Sequence, residues 1–144
     1  MLCVDVNVLV YAHRAESPRH AEVRRWLDSA RRAREPLGVA PLAESGFLRV
    51  VTHPRIFREP TVLQEAIAFL DAVRAGPAVE SLLAGPRHRE IFIELCERTA
   101  ATGNRVPDAY LAAMAMENGA TFVTADRGFA RFPGLRWRHP LDPD

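Results

Sequence analysis

Four acids in this chain stand where acids are unusual. Asp5 interrupts an almost wholly apolar run, LCVDVNVLVY, over residues 2–11. Glu44 shares a helical face with Phe47, Leu48 and Val51, at the spacing i, i+3, i+4 and i+7. Asp108 is placed in the same way relative to Leu111, Ala112 and Ala115, and Asp126 comes just after the β-prone run 121–124. An ionised carboxylate is expensive to bury without compensation. Like charges brought together raise one another's pKa unless a cation lies among them. Taken singly, each acid has a structural explanation: a helix start for Asp108, a turn for Asp126, an ion pair or a misjudged face elsewhere. Taken together they call for a cation, and the chain contains no lysine: all 19 basic residues are arginine. Most of those arginines fall on faces that read as solvated, including Arg24, Arg25, Arg31, Arg32 and Arg34. A divalent metal is the economical partner. All-oxygen ligation without a His or Cys motif favours Mg²⁺ or Mn²⁺ over zinc. Such a site is suited to substrate phosphates, and two ions about 4 Å apart stabilise both the attacking and the leaving oxygen of a phosphodiester displacement.

Composition narrows the alternatives. A chain of 144 residues with 48% hydrophobic content is enough for one compact domain over 1–144 and too short for two. Without lysine there is no Walker A loop, Schiff-base chemistry or lysine-assisted phosphoaspartate site. No GxGxxG or GxSxG pattern occurs, which removes support for dinucleotide binding and for a serine-hydrolase elbow. Cys3 and Cys96 are too few for a disulfide framework and lack metal-site spacing, so core packing in a reducing cytoplasm is the expectation. Asp5 sits where an export signal needs basic residues, and no apolar run reaches membrane-spanning length. The net charge is +1; with four of the 18 acids set aside as ligands, 14 face 19 basic residues, an excess of +5. That modest basic surface suits a nucleic-acid backbone held without sequence reading.

The elements that must position these acids alternate. A buried strand opens the chain and leads into a helix over 7–13, with Asn7 as N-cap. A helix over 18–34 follows, with Val23, Trp26, Leu27 and Ala30 at helical spacing, so Trp26 reads as core. Strand 37–40 precedes a helix over 42–51, which Pro41 starts. After a loop marked by His53, Pro54 and Pro60, an amphipathic helix covers 61–75 and a weak strand 79–83. Gly85 and Pro86 open a helix through 102, whose Glu90, Glu94 and Glu97 form a solvated face. A helix over 109–118 begins behind Pro107, placing Asp108 in its first turn, where the helix dipole favours negative charge. Strand 121–124, a one-turn helix around Phe129 and Phe132, strand 135–137 and a Pro- and Asp-containing tail complete the chain. Strands alternating with helices predict an α/β fold, a central parallel sheet flanked by helices. Ligands bind such sheets beyond the carboxyl ends of the strands, and all four acids are expected to point toward that edge.

Asp5-x-Asn7 after the first strand, Glu44 within AESGFLRVV, Asp108 opening DAYLAA and Thr124-Ala-Asp126 together resemble the PIN domain family. The nearer resemblance is to the VapC-type toxins of bacterial toxin–antitoxin pairs, and it covers essentially the whole chain, through Phe132-Pro133-Gly134-Leu135 and Pro140-Leu141. The resemblance implies a three-layer fold and a Mg²⁺- or Mn²⁺-dependent endoribonuclease using an attacking water and leaving a 3′-hydroxyl. By position it implies Asp5 and Asp108 as principal metal ligands, Glu44 ligating or orienting the water, and Asp126 completing the cluster. Asn7 and Thr124 would support the acids by hydrogen bonds. It also implies a homodimer silenced by a cognate antitoxin that threads a segment, often with an arginine, into the acidic groove. The chain departs from the pattern at Gly128, where some members carry a further acid, and at Tyr110, where many have histidine. His13, His53, His88 and His139 match no catalytic position and are expected at the surface or in loops. Two other PIN readings are a catalytically weak binding module and an RNA-processing nuclease outside a toxin–antitoxin pair. A haloacid-dehalogenase-like phosphatase would also place an Asp after the opening strand. Its chemistry wants Asp-x-Asp and a later lysine, which Asn7 and the lysine-free chain oppose.

Overall fold

The computed structural model describes residues 1–143; the last residue of the expected tail, Asp144, lies outside them. Strands β1 (Leu2–Val4), β2 (Leu37–Val39), β3 (Val79–Ser81), β4 (Thr121–Val123) and β5 (Trp137–Arg138) form one sheet in the order β3-β2-β1-β4-β5, with every neighbouring pair parallel. Helices α1 (Val6–His13) and α2 (His20–Ala30) connect β1 to β2, and α3 (Pro41–Val51) and α4 (Leu63–Arg74) connect β2 to β3. Helices α5 (His88–Thr99) and α6 (Arg105–Glu117) connect β3 to β4, and a 3-10 helix, Arg127–Arg131, leads on to β5. This is the α/β arrangement expected from the alternation, a parallel sheet flanked by helices.

The strand order matters for function. From β1 the chain winds outward through β2 to β3, then returns to lay β4 along the other side of β1. Ligands of open parallel sheets bind at the carboxyl ends of the strands flanking such a reversal. β1 and β4 are those strands, and Asp5 and Thr124 are the first residues beyond them.

Strands covered on both faces need apolar side chains at consecutive positions. Cys3, Val4, Val39, Phe122 and Val123 are accordingly fully buried, with Val8 and Leu9 of α1 and Phe47 and Val51 of α3 against them. Each such side chain contributes about 1.5–3 kcal/mol on burial. Cys3 is core as expected, and burial pushes its thiol up to about 12. Gly46 lets α3 approach α1 closely, because a Cβ there would lie 2.7 Å from Val6 Cγ2.

Several boundaries differ from the sequence reading. Helix α1 starts at Val6 with Asp5, not Asn7, as its N-cap: the Asp5 carboxylate accepts the Val6 N–H at 2.7 Å. Helix α2 stops at Ala30, where its apolar spacing ends, rather than at 34. Helix α5 spans only 88–99, because the Glu117 carboxylate takes the N–H groups of Gly85 and Arg87 and holds the lead-in as a loop. Helix α6 starts four residues earlier than expected, so Pro107 is its third residue; N–H groups in the first turn have no helical partner, and the proline costs nothing there. Strand β5 lies over 137–138 rather than 135–137. His88 is not at the surface: it is buried, and its Nε2–H donates to the Tyr110 carbonyl at 3.0 Å. His13 is half-buried between the rings of Phe47 and Phe69.

Candidate active site

Asp5 is 4% exposed, and its acceptor sites are nearly all used. Oδ1 caps α1 through Val6, while Oδ2 accepts from Asn7 Nδ2 at 2.7 Å and from the Thr124 hydroxyl at 2.6 Å. The Thr124 hydroxyl is saturated: it donates to Asp5 and accepts from Asn7 Nδ2 and from the Asp126 N–H, both at 3.0 Å. Asn7 closes the circuit by accepting the Ala125 N–H at 3.0 Å. The end of β1, the start of α1 and the end of β4 are therefore locked together by side chains, and Asp5 is fixed at the centre. None of its hydrogen-bonding neighbours carries positive charge. Burial pushes its pKa up to about 7; the bonds from Thr124 and Val6 work against this, and the charges of Asp108 and Asp126 add to it.

A pocket of about 380 Å³ opens at this edge, lined by Asp5 and Asn7, by Asp108 of α6, by Asp126, and by Ser45 and Arg49 of α3. Asp108 is half-exposed. Burial raises its pKa, Arg131 lowers it with Nη1 3.7 Å from Oδ2, and Asp126 raises it. Asp126 is exposed and turns one oxygen to the Gly128 N–H at 2.7 Å, capping the 3-10 helix. Gly128 also has a spatial reason: a Cβ there would collide with the Arg131 guanidinium and lie 2.8 Å from Asp126 Oδ1. An arginine fills the place where a further acid would otherwise project.

The structure thus brings together Asp5, Asp108 and Asp126 with their supports Asn7 and Thr124, but not Glu44. Glu44 is not part of the pocket lining, and its carboxylate forms a two-pronged pair with Arg74, both contacts at 2.8 Å. Arg74 also donates to Ser81 Oγ at 2.9 Å and to the Val39 carbonyl at 3.3 Å, tying α3 and α4 to the ends of β2 and β3. Arg74 and Arg131 are outside the group of arginines read as solvated from the sequence, and each is half-buried against an acid. The partnership of Glu44 with a residue 30 positions away left no mark in the sequence. Gly128 and Arg131, one turn apart in a short helix, were a readable pair that periodicity alone did not single out. Ser45 and Arg49 were passed over because they flank the apolar face of α3.

The donor set fits a hard divalent cation. Among the described residues no three acid, His or Cys side chains converge tightly enough to close a metal cage by themselves. Mg²⁺ typically keeps several waters and takes only one or two carboxylates, so an open pocket with three acids suits it. The buried, uncompensated charge of Asp5 is the specific observation that a cation would relieve.

A crevice at the strand reversal, lined by acids from β1, α6 and the end of β4, defines a class. The PIN domain model matches residues 2–135, and the chain belongs to the PIN domain family. It is 54% identical over 142 residues to "VapC ribonuclease Mb2897" of Mycobacterium bovis, covering 99% of this chain and 97% of that one. It is 41% identical over 140 residues to "Ribonuclease VapC25" of Mycobacterium tuberculosis, covering 97% and 99%. Among solved structures, VapBC-1 from nontypeable Haemophilus influenzae shares the fold with a TM-score of 0.68 at 14% identity, over 98% of both chains. Among the described residues no helix is long and apolar enough to cross a membrane.

Proposed function

We propose that this chain, a single domain over 1–144, is a Mg²⁺- or Mn²⁺-dependent endoribonuclease that serves as the toxin of a toxin–antitoxin pair. The observation that carries the reading is the pocket itself. A rigidly held, nearly buried Asp5 shares it with Asp108 and Asp126 at the strand reversal. The names of the relatives, VapC ribonucleases at up to 54% identity over almost the full length, support RNA as the substrate. The VapBC name of the solved complex supports a protein antitoxin.

In this reading Asp5 and Asp108 would be the cation's carboxylate ligands, with Asp126 completing the acidic cluster around its waters. When bound, such an ion would supply Lewis-acid activation of a water and would offset charge on the phosphate. Thr124 and Asn7 hold Asp5 Oδ2 in place, so that its position does not shift as charge develops, and the Thr124 bond favours its ionised form. Asp108, half-exposed at the mouth, meets the substrate side. Glu44 braces α3, the opposite wall, through Arg74. An antitoxin segment that brings a cationic side chain to the three acids would block the same pocket. We further read the protein as a cytoplasmic homodimer.

The test is cleavage of a single-stranded RNA with Mn²⁺ by the wild type and by Asp5→Asn. Cleavage lost in the variant supports the reading; identical behaviour of the two proteins ends it.

A further inference from the structure

We infer that Arg49, with Ser45 one turn before it on α3, is a substrate-positioning residue that receives a phosphate of the RNA backbone. The inference rests on the ribonuclease reading above and adds a residue to it.

The pocket has two unlike walls. One carries Asp5, Asp108 and Asp126; the other is the face of α3 with Leu42, Ser45, Gly46 and Arg49. Arg49 is the one basic residue lining this pocket. It is exposed and, among the described residues, enters no ion pair. The contrast with its neighbours is informative. Arg74 is committed to Glu44 and Arg131 stands against Asp108, whereas the guanidinium of Arg49 is uncommitted beside an acidic site.

Charge balance says what it would take. Three carboxylates repel a phosphodiester. One divalent cation together with Arg131 offsets their charge; Arg105, the other arginine whose charge reaches Asp108, is not part of the pocket lining, so nothing within the pocket is left over for the incoming phosphate. The remaining single negative charge is matched by Arg49, whose planar fork of donors suits two phosphate oxygens at once. Ser45 stands four residues before Arg49, on the same helical face, and is exposed with its hydroxyl free to donate. The close approach of α3 to α1 that Gly46 permits against Val6 sets the distance between this wall and Asp5. The backbone would then cross the pocket from α3 toward the acids, in register for cleavage.

The experiment compares wild type, Arg49→Gln and Arg49→Lys in RNA cleavage with Mn²⁺ across a salt series, with Mn²⁺ binding measured by calorimetry. Arg49→Gln is expected to raise KM about tenfold with a smaller change in kcat, the loss of one charge-assisted contact. It should also reduce the slope of log affinity against log salt by about 0.7, the share of one phosphate contact on a single strand. Arg49→Lys should restore the salt slope and part of the KM, and Mn²⁺ affinity should be the same in all three proteins. Because Arg49 is exposed, both variants are expected to melt with the wild type. Wild-type cleavage with unchanged KM and salt slope in a folded Arg49→Gln overturns the inference and leaves the ribonuclease reading standing. A variant whose defect is in Mn²⁺ affinity overturns it too. Wild type that cleaves no RNA, like Asp5→Asn, overturns the ribonuclease reading and the inference with it.

Discussion

At the junction of β1 and β4, Asp5 is surrounded by groups that donate hydrogen bonds but carry no charge: a backbone N–H, an amide and a hydroxyl. On the far side of α3, Glu44 lies flat against a guanidinium that makes two contacts with it. Both acids occupy apolar faces of the sequence, and both are well ordered by their partners. Only one of them is electrically satisfied. Hydrogen bonds from neutral donors hold a carboxylate in place without removing its charge, and burial then raises its pKa to about 7. A bidentate arginine compensates the charge and turns the acid into a brace. The difference separates a residue kept ready for an incoming cation from one already used in the fold.

The largest consequence of that contrast is in activity. Asp5→Asn keeps an oxygen for Thr124 but removes the charge that a metal needs. A loss of about a thousandfold in kcat/KM is expected, equivalent to the several kcal/mol a catalytic metal supplies. Initial rates with Mn²⁺ give the number. Less than a tenfold loss would mean Asp5 is only the N-cap of α1.

Metal-free stability should show the same contrast with an unusual sign. The pKa of Asp5 is about 7 in the folded chain against about 3.9 when unfolded. Between those values the folded state binds a proton that the unfolded state lacks, so stability falls as pH rises from about 4 to 7 and the loss is complete above 7. A shift of this size corresponds to as much as ~4 kcal/mol. Denaturant melts of the metal-free protein at pH 5 and pH 8 should show this fall. Asp5→Asn should flatten it, and Mn²⁺ should oppose it by binding the ionised form. A wild type equally stable at both pH values, against a variant with the same profile, would place the charge of Asp5 elsewhere in the network.

The two regions were not equally legible in the sequence. The apolar run around Asp5 and the β-prone run before Thr124 announced short buried strands, and strand–helix alternation announced the parallel sheet. Asp5, Asp108 and Asp126 followed because residues at strand ends and helix starts converge at one edge of such a sheet. Periodicity also placed Glu44 on the Phe47 face of α3, but it cannot see across to α4, where Arg74 waits. The extra turn of α6 has no sequence signal, because a proline is as much at ease in the third position of a helix as in the first. The burial of His88 is not legible in the sequence, because its ring pairs with a backbone carbonyl of α6, and pairing of that kind leaves no residue signature.

The support of Asp5 gives a smaller effect that sharpens the contrast. Thr124→Val keeps the shape of a fully buried side chain but deletes the donor to Asp5 Oδ2 and the acceptor used by Asn7 and by the Asp126 N–H. Loss of a residue that orients a metal ligand costs about 10–100-fold in metal affinity. The Thr124 bond lowers the pKa of Asp5, so its removal raises that pKa further, and the binding defect should shrink as pH rises and Asp5 ionises. Mn²⁺ titrations at pH 7 and pH 9 check both. A defect of equal size at both pH values would mean that Thr124 acts on geometry alone.

The smallest effect is expected at Glu44. Glu44→Gln leaves one acceptor for Arg74 and removes the charge, a loss of about 1 kcal/mol for a partly exposed, hydrogen-bonded pair. Stability should fall by that amount in urea. Adding Arg74→Gln should cost less than the sum of the two single changes, because the pair is already broken. Cleavage should drop less than tenfold, through a small displacement of the α3 wall, and Mn²⁺ affinity should not change. The outcome that breaks the comparison is a fall in activity and Mn²⁺ affinity as deep as that of Asp5→Asn. Glu44 would then have to leave Arg74 and join the other three acids when the cation binds, and Arg74 would be the group that releases it.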